Sequence, residues 1–261
     1  MITKNTLLSQ NDLSVLEKVI IKRGRVASFD DLREAFGSDY SYQEIKNRVS
    51  QLARAGWLIR LKRGLYIIIT DISTLGFNDL HQFVTSQMLN MHSYISFEAA
   101  LQHYGMFDQM LKRIDGVTAG VARSYDVQDT TYKFFHIREE LYFGFTAQVV
   151  DKSFGTLIAD KEKALLDMLY FRASDYTTSL VLEKLQDYKH EIDFAKLQDY
   201  AKRYGIGMVR KVGFLLDYVE VDTNKLYNKK EVKKNSFSKF DAEARDFNAK
   251  WRVYYDSTVF K

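Results

Sequence analysis

The sequence predicts an α+β protein with two parts. Three short helical patterns and one hairpin pattern occupy residues 9–70. From residue 75 onward, strand patterns come first and helical patterns follow, the order expected of an α+β unit with a small sheet and a helical C-terminal part. The length of 261 residues also exceeds that of a typical single domain. We therefore expect an N-terminal domain at residues 9–70 and an α+β domain at residues 75–261.

The composition excludes several classes of protein. Hydrophobic residues make up 46% of the chain and aromatic residues 14%, which is enough for sizeable cores. Cysteine is absent, so disulfides, thiol catalysis and cysteine-based zinc fingers are excluded. The first ten residues lack the apolar core of a signal peptide, and no apolar run approaches the ~20 residues that span a bilayer. We therefore expect a cytoplasmic protein that does not contact a membrane.

The first two helical patterns end at glycines. Residues 10–23 form the first, which stops before Gly24, and residues 30–36 form the second, which stops at Gly37. The apolar residues predicted to pack from the first helix are Leu13, Leu16, Val19 and Ile20.

The third helical pattern separates an apolar face from a polar one. Ser41 and Glu44 form a capping box that starts this helix, and Gly56 ends it. The predicted buried stripe consists of Ile45, Val49 and Leu52. The polar residues on the opposite face are Gln43, Asn47, Ser50, Gln51 and Arg54.

Side chains of this kind can read DNA bases. Gln, Asn and Arg make bidentate hydrogen bonds to adenine or guanine edges in the major groove. A helix face that only meets water tends to carry glutamates paired with lysines, whereas this helix has a single acid, at its cap. We interpret it as the recognition helix of a helix-turn-helix, with base-reading residues Gln43, Asn47, Gln51 and Arg54. A solvated face without a ligand is the alternative.

A basic hairpin follows directly. Two apolar, β-branched runs flank Lys62-Arg63-Gly64, a pattern typical of a tight turn between antiparallel strands. A basic hairpin after a recognition helix is the wing of a winged helix-turn-helix. Residues 41–70 hold six bases and one acid, and such a block suits a polyanion because phosphate neutralisation releases counterions. The predicted phosphate contacts of helix and wing are Ser41, Lys46, Arg48, Arg60, Lys62 and Arg63. A winged helix used for protein contacts is the main alternative.

The remaining patterns define the predicted α+β unit. Two helices are expected first, at residues 77–91 and 97–104, the second capped by Ser96. Strands are expected at residues 116–122, 132–138, 141–150 and 156–158. Helices follow at residues 160–171, 179–189, 193–204 and 208–219. The lysine-rich segment at residues 225–239 is interpreted as solvated.

Three separated segments resemble the AbiEi antitoxin family. Residues 94–105, YISFEAALQHYG, resemble its S-x-E-S-A-L-x-x-x-G segment, and residues 158–167, IADKEKALLD, resemble its I-A-x-P-E-K-A-L-L-D helix. Residues 60–66, RLKRGLY, resemble its L-R-x-G-x-Y hairpin. The three lie in the family's order, and the resemblance as a whole covers residues 10–172. One departure is Lys161, which stands where proline is usual at the first turn of the helix, a position where proline only aids helix initiation.

The resemblance implies an antitoxin of a bacterial type IV toxin–antitoxin system that acts by abortive infection in phage defence. Its winged helix is expected to bind double-stranded operator DNA at inverted repeats and to repress its own operon. Its C-terminal domain is expected to counter a cognate nucleotidyltransferase toxin, in many cases without a stable protein complex. We expect a monomer able to bind DNA cooperatively, with no cofactor and no metal.

An enzymatic function has less support from the sequence than DNA binding. Glu162, Lys163 and Asp167 share one helix that also carries many apolar residues, so structural roles are favoured. The five histidines show no metal-ligand spacing. Phe36-Gly37-Ser38 superficially resembles the start of a nucleotidyltransferase site, but no Asp-x-Asp pair follows to hold magnesium. We therefore expect a protein that is not an enzyme. A winged-helix transcriptional regulator with a ligand- or protein-sensing C-terminal domain is the alternative.

Overall fold

A computed structural model of the chain describes residues 8–70, 81–151, 154–233 and 236–260, and it confirms the predicted α+β class. In the N-terminal part, the predicted order of three helices and a hairpin is also confirmed. A short strand that the sequence did not predict lies between the first two helices. The elements are α1 (Gln10–Arg23), β1 (Val26–Ser28), α2 (Phe29–Phe36), α3 (Tyr42–Ala55), β2 (Leu58–Lys62) and β3 (Leu65–Ile68). The strands form an antiparallel sheet in the order β1-β3-β2.

Serine caps start all three of these helices. The hydroxyls of Ser9, Ser28 and Ser41 each accept a hydrogen bond from a backbone N–H three residues later, which satisfies a donor that has no partner within the helix. Leu16, Val19 and the predicted stripe of α3 are buried, as expected. Leu13 was expected to pack in the core, and this prediction was wrong, because Leu13 is 46% exposed. In the first helix, Val15 takes part in the core instead.

The second part begins with a mixed sheet and two helices. Its elements are α4 (Gln82–Leu89), β4 (Ser93–Ile95), α5 (Phe97–His103), β5 (Arg113–Thr118), β6 (Arg123–Val127), β7 (Thr130–His136), β8 (Phe145–Asp151) and β9 (Phe154–Ala159). Within the described residues the strand order is β6-β7-β5-β4-β9-β8, with the pairs β5–β7 and β4–β9 parallel and the other pairs antiparallel. Strands β4 and β6 were not predicted. The predicted helix at residues 77–91 is seen only as α4, since residues 77–80 lie outside the described residues.

Helices and a small second sheet complete the chain. The four predicted helices are present, although α7 begins four residues earlier than expected. The elements are α6 (Lys161–Phe171), α7 (Asp175–Asp187), α8 (Phe194–Tyr204), α9 (Ile206–Tyr218), α10 (Lys229–Val232), β10 (Ser238–Lys239), β11 (Asp246–Asn248) and β12 (Val253–Tyr255). The last three strands form a sheet in the order β10-β12-β11, which the sequence did not predict.

A buried ion pair joins the large sheet to the helices. Lys163 Nζ lies 2.7 Å from Asp167 Oδ1 on α6, and both side chains are fully buried. Asp167 also accepts hydrogen bonds from the hydroxyls of Tyr94 on β4, at 3.0 Å, and of Ser96, at 2.7 Å. The hydroxyl of Tyr204 on α8 hydrogen-bonds to both members of the pair. The structure therefore agrees with the structural role expected for Lys163 and Asp167.

Ser96 has a different role from the one expected. It occupies the N-cap position of α5, but its hydroxyl makes no capping hydrogen bond and is donated to Asp167 instead. The next residue, Phe97, is fully buried and has a φ of 57°, a left-handed conformation that is rare for an aromatic residue. The buried polar cluster around Asp167 thus fixes how the chain enters α5.

We predict that Asp167→Asn lowers the free energy of unfolding by about 3–5 kcal/mol, because it leaves Lys163 buried without a counter-charge. The matched control is Glu191→Gln, which removes an exposed partner from Lys161 on the same helix, an ion pair of 2.6 Å with Glu191 51% exposed. That loss should be about 0–1 kcal/mol. Urea denaturation followed by circular dichroism measures both. Equal losses for the two variants would show that the buried ion pair contributes no more to stability than the exposed one.

Two glycines of α9 differ sharply in their surroundings. A Cβ built on Gly213 would lie 2.3 Å from the ring of Trp251, which is fully buried and donates its indole N–H to Asp217 at 2.7 Å. A Cβ on Gly207 would lie no closer than 3.7 Å to its nearest neighbour, Ser238 Oγ. Only Gly213 is therefore required by packing between α9 and the small sheet.

We predict that Gly213→Ala lowers the free energy of unfolding by about 1–3 kcal/mol through overpacking against Trp251. Gly207→Ala, in the same helix, should instead raise it by about 0.5–1 kcal/mol, because alanine favours helix. Thermal denaturation of both variants provides the comparison. A Gly213→Ala protein as stable as the Gly207→Ala protein would contradict the close packing described.

Candidate nucleic-acid interface

Helix α3 presents the predicted polar face to solvent. Ile45, Val49 and Leu52 anchor the opposite face in the core, with exposures of 5% or less. The four side chains predicted to read bases are exposed and lie together along the helix: Gln43, Asn47, Gln51 and Arg54. Gln43 Nε2 donates a hydrogen bond to Asn47 Oδ1 at 3.1 Å, which orients the two amides beside each other. The structure therefore brings these four residues onto one accessible surface.

The only acid of α3 is used at the start of the helix. Both halves of the predicted capping box are formed: the Ser41 hydroxyl accepts from the Glu44 backbone N–H, and the Glu44 carboxylate accepts from the Ser41 backbone N–H at 2.8 Å. Hydrogen bonds from the Ser41 hydroxyl and then from its backbone N–H lower the pKa of Glu44. Glu44 therefore stays ionised at neutral pH, next to the positive end of the helix dipole. No acidic side chain interrupts the polar face beyond this first turn.

A groove of about 450 Å³ separates α3 from the β2–β3 hairpin. Three of the predicted phosphate contacts line it, Lys46 from α3 and Arg60 and Arg63 from the hairpin. Tyr42 and Tyr66 also line the groove, and Lys46 Nζ lies 5.4 Å from the centroid of the Tyr42 ring. The groove thus combines three cations with two phenol rings, a lining suited to a phosphodiester backbone.

The other predicted phosphate contacts have partners within the protein. The Arg48 guanidinium lies 3.2 Å from the Asp12 carboxylate of α1 and 5.5 Å from the centre of the Tyr40 ring. Lys62 Nζ donates to the Leu89 carbonyl oxygen at 2.8 Å, which links the hairpin to the end of α4. Arg48 and Lys62 would have to exchange these partners before contacting phosphate, while the Ser41 hydroxyl already serves the cap.

Sequence reasoning missed the two tyrosines of the groove. Tyr42 is 55% exposed even though it sits in the first turn of an otherwise well-packed helix. Its ring meets Phe29 of α2 edge to face, at a centroid distance of 5.6 Å. An aromatic residue at the start of a basic helix is the sequence signal that could have identified Tyr42.

The described residues show neither a cluster of metal ligands nor a membrane-spanning helix. Within residues 8–70, 81–151, 154–233 and 236–260, no three His, Asp or Glu side chains are grouped closely enough to hold a metal ion. No helix in these ranges has the length and apolar character needed to cross a membrane.

Comparison with solved structures concerns the fold of the chain. Over the whole chain, the fold is similar to the crystal structure of the RV2827C protein from Mycobacterium tuberculosis. The TM-score is 0.66 and the identity 13%, with 98% of this chain and 95% of that chain covered. At this identity the likeness concerns the fold alone. No curated protein matches the chain significantly.

The family comparison concerns the part of the chain that carries α3 and the hairpin. The family described as "Transcriptional regulator, AbiEi antitoxin" matches residues 14–69, which contain the polar face and the groove. The family expected from the sequence is therefore the family that residues 14–69 match.

Proposed function

We propose that this chain is the antitoxin of a type IV toxin–antitoxin system and that it represses its own operon through a winged helix-turn-helix at residues 9–70. The observation that carries this proposal is the surface of α3: an exposed amide and guanidinium face without acids, beside a groove lined by Lys46, Arg60 and Arg63. The match of residues 14–69 to a family of antitoxin transcriptional regulators supports the same conclusion.

In the proposed complex, α3 enters the major groove of double-stranded operator DNA. Its outward side chains reach base edges, and those of most weight are Asn47, suited to adenine, and Arg54, suited to guanine. Lys46, Arg60 and Arg63 hold the phosphates that pass along the groove between α3 and the hairpin. Each inverted repeat of the operator takes one monomer, so neighbouring monomers can bind cooperatively.

We predict that Asn47→Ala and Arg54→Ala each reduce the preference for operator over unrelated duplex by about 1–3 kcal/mol, because each removes a base contact. Arg63→Gln should instead weaken binding to all duplexes about equally and lower the salt slope by about 0.9. Fluorescence anisotropy with the DNA upstream of the gene, at several salt concentrations, measures both effects.

The matched control for these variants is Arg33→Ala. Arg33 lies on α2, outside the proposed interface, and its side chain is 54% exposed in an ion pair with Asp30. Its loss should leave duplex binding and the salt slope unchanged. Duplex binding that is insensitive to all three interface substitutions would remove α3 and the hairpin as the DNA-binding surface.

We further propose that the unit at residues 75–261 counters a nucleotidyltransferase toxin without forming a stable complex. Support comes from the segments at residues 94–105 and 158–167 that resemble the family. In the structure these segments meet at the buried cluster of Tyr94, Ser96, Lys163 and Asp167. In this proposal the two segments serve to build the unit, and other residues form the surface that acts against the toxin.

The two activities should separate genetically. A full-length protein carrying both Asn47→Ala and Arg54→Ala should lose repression of its operon but still restore growth to cells that express the toxin encoded beside it. A reporter fusion measures repression, and plating efficiency under toxin induction measures rescue. If the double variant accumulates normally but fails to rescue, the division of roles is wrong. A failure of the unaltered protein to rescue would instead favour a regulator with a ligand- or protein-sensing second unit.

A further inference from the structure

The small C-terminal sheet has one face that does not pack on the protein. Successive strand residues point to opposite sides of a sheet. On the inner side, Phe240 and Val253 are buried at 2% and 0% exposure. On the outer side, Lys239, Tyr254 and Phe247 form a row across the three strands, because Tyr254 pairs with Lys239 of β10 and with Phe247 of β11. Neither the proposed DNA-binding surface nor the buried cluster uses this outer face.

Three aromatic rings lie together on the outer face. Phe237, just before β10, is 54% exposed, and Phe247 on β11 is 44% exposed. Both rings contact Tyr254, at centroid distances of 5.1 Å and 4.8 Å. Large apolar rings left in water as a group, on the surface of an otherwise well-packed unit, are typical of a binding surface.

Cations are interleaved with these rings. Lys239 Nζ lies 5.2 Å from the centroid of the Tyr254 ring. Arg252, two residues before Tyr254, is fixed by a hydrogen bond from its Nε to the Ser236 carbonyl oxygen at 3.0 Å, which keeps its guanidinium next to β10. Aromatic rings and cations therefore share one small area of the surface. An apolar protein partner would need the rings but not the cations.

The charge distribution along the sequence favours an anionic partner at this end. Residues 225–255 hold nine Lys/Arg against four Asp/Glu, a net charge of +5. Residues 71–224 hold sixteen Lys/Arg against twenty-two Asp/Glu, a net charge of −6. The second unit is thus acidic up to residue 224, and the excess of bases lies in residues 225–234, which lead into the small sheet. Residues 236–256, which form the sheet, hold four Lys/Arg and four Asp/Glu.

We propose that this aromatic face, made of Phe237, Lys239, Phe247, Arg252 and Tyr254, binds single-stranded nucleic acid. Unpaired bases stack on exposed rings, whereas a duplex hides the faces of its bases, and cations beside the rings neutralise the phosphates between successive bases. A three-stranded sheet with three rings accommodates two or three nucleotides. The face shares no residue with α3 or the hairpin, so this activity is separate from the proposed binding of operator duplex.

The test uses the full-length protein and fluorescein-labelled, mixed-sequence oligonucleotides of 12 nucleotides, one of RNA and one of DNA, in anisotropy titrations. Phe237→Ala and Phe247→Ala should each weaken binding of the single strand by about 5- to 150-fold, as expected for the loss of one stacked base. Tyr254→Phe keeps the ring and should bind like the unaltered protein. Lys239→Gln should lower the salt slope by about 0.7. The stronger of the RNA and DNA arms identifies the natural class of ligand.

Two control variants make the result specific. Tyr176→Ala removes a ring that is 58% exposed on α7 and is not among the rings that contact Tyr254, and it should leave single-strand binding unchanged. Arg54→Ala should weaken the binding of operator duplex only. Failure of the proposed operator binding is therefore distinguishable from failure of the proposed single-strand binding. Phe237 lies just before β10 and is not one of the paired strand residues. Thermal denaturation checks that Phe247→Ala remains folded.

Three outcomes would overturn the proposal. The first is that the unaltered protein binds neither oligonucleotide. The second is that binding is unchanged by Phe237→Ala and Phe247→Ala but lost with Arg54→Ala, which would place the strand on α3. The third is that the aromatic variants change only the sedimentation of the protein, which would make this face an interface between two copies of the chain.

Discussion

The ion pair between Lys163 and Asp167 is the interaction on which the second part of the chain depends. Removing two charges from water is costly, and the cost is recovered only where the geometry supplies partners for both. Burial lowers the pKa of Lys163 and Asp167 opposes that shift, while burial and the nearby Asp167 raise the pKa of Tyr204. Tyr204 therefore remains a neutral hydrogen-bond donor at neutral pH, and the carboxylate keeps its full set of donors.

The partners of this pair come from separate elements. Tyr94 belongs to β4 in the large sheet, Ser96 starts α5, and Tyr204 ends α8. One carboxylate thus fixes the positions of the sheet, a helix start and a helix end. Residues 94–105 and 158–167, the two segments compared with the family in the sequence analysis, both contribute to this cluster.

Helix α3 is also held in place by buried contacts, but its opposite face is open to solvent. Its apolar stripe holds it in the core, and Arg48 ties it to Asp12 of α1, so the helix is rigid while its polar face stays open. Using Glu44 in the cap removes the single negative charge from the face that would meet DNA. The hydrogen bond from Lys62 to the Leu89 carbonyl also connects the hairpin to the second part of the chain. A DNA-bound hairpin would therefore compete with that contact.

The helices and the α3 surface could be predicted from sequence because their signals are local. Ser41 and Gly56 mark the ends of α3, and apolar residues at helical spacing fix which face is buried. Strands such as β1, β4 and β10 have three residues or fewer, too few to show an alternating pattern, so only long-range pairing reveals them. The same limit hid the aromatic face, since Phe247 and Tyr254 are brought together by register. The left-handed conformation of Phe97 could not be predicted either, because it goes with tertiary contacts of its neighbour Ser96 with Asp167 that the local sequence does not reveal.

Hydrogen–deuterium exchange of the full-length protein, with and without the duplex upstream of its gene, tests the central claim most directly. Backbone amides that DNA contacts or rigidifies exchange more slowly. The account predicts slower exchange in peptides covering residues 42–66, which span α3 and the hairpin, with smaller changes elsewhere. Protection confined to residues 81–260, with residues 42–66 unchanged, would contradict it.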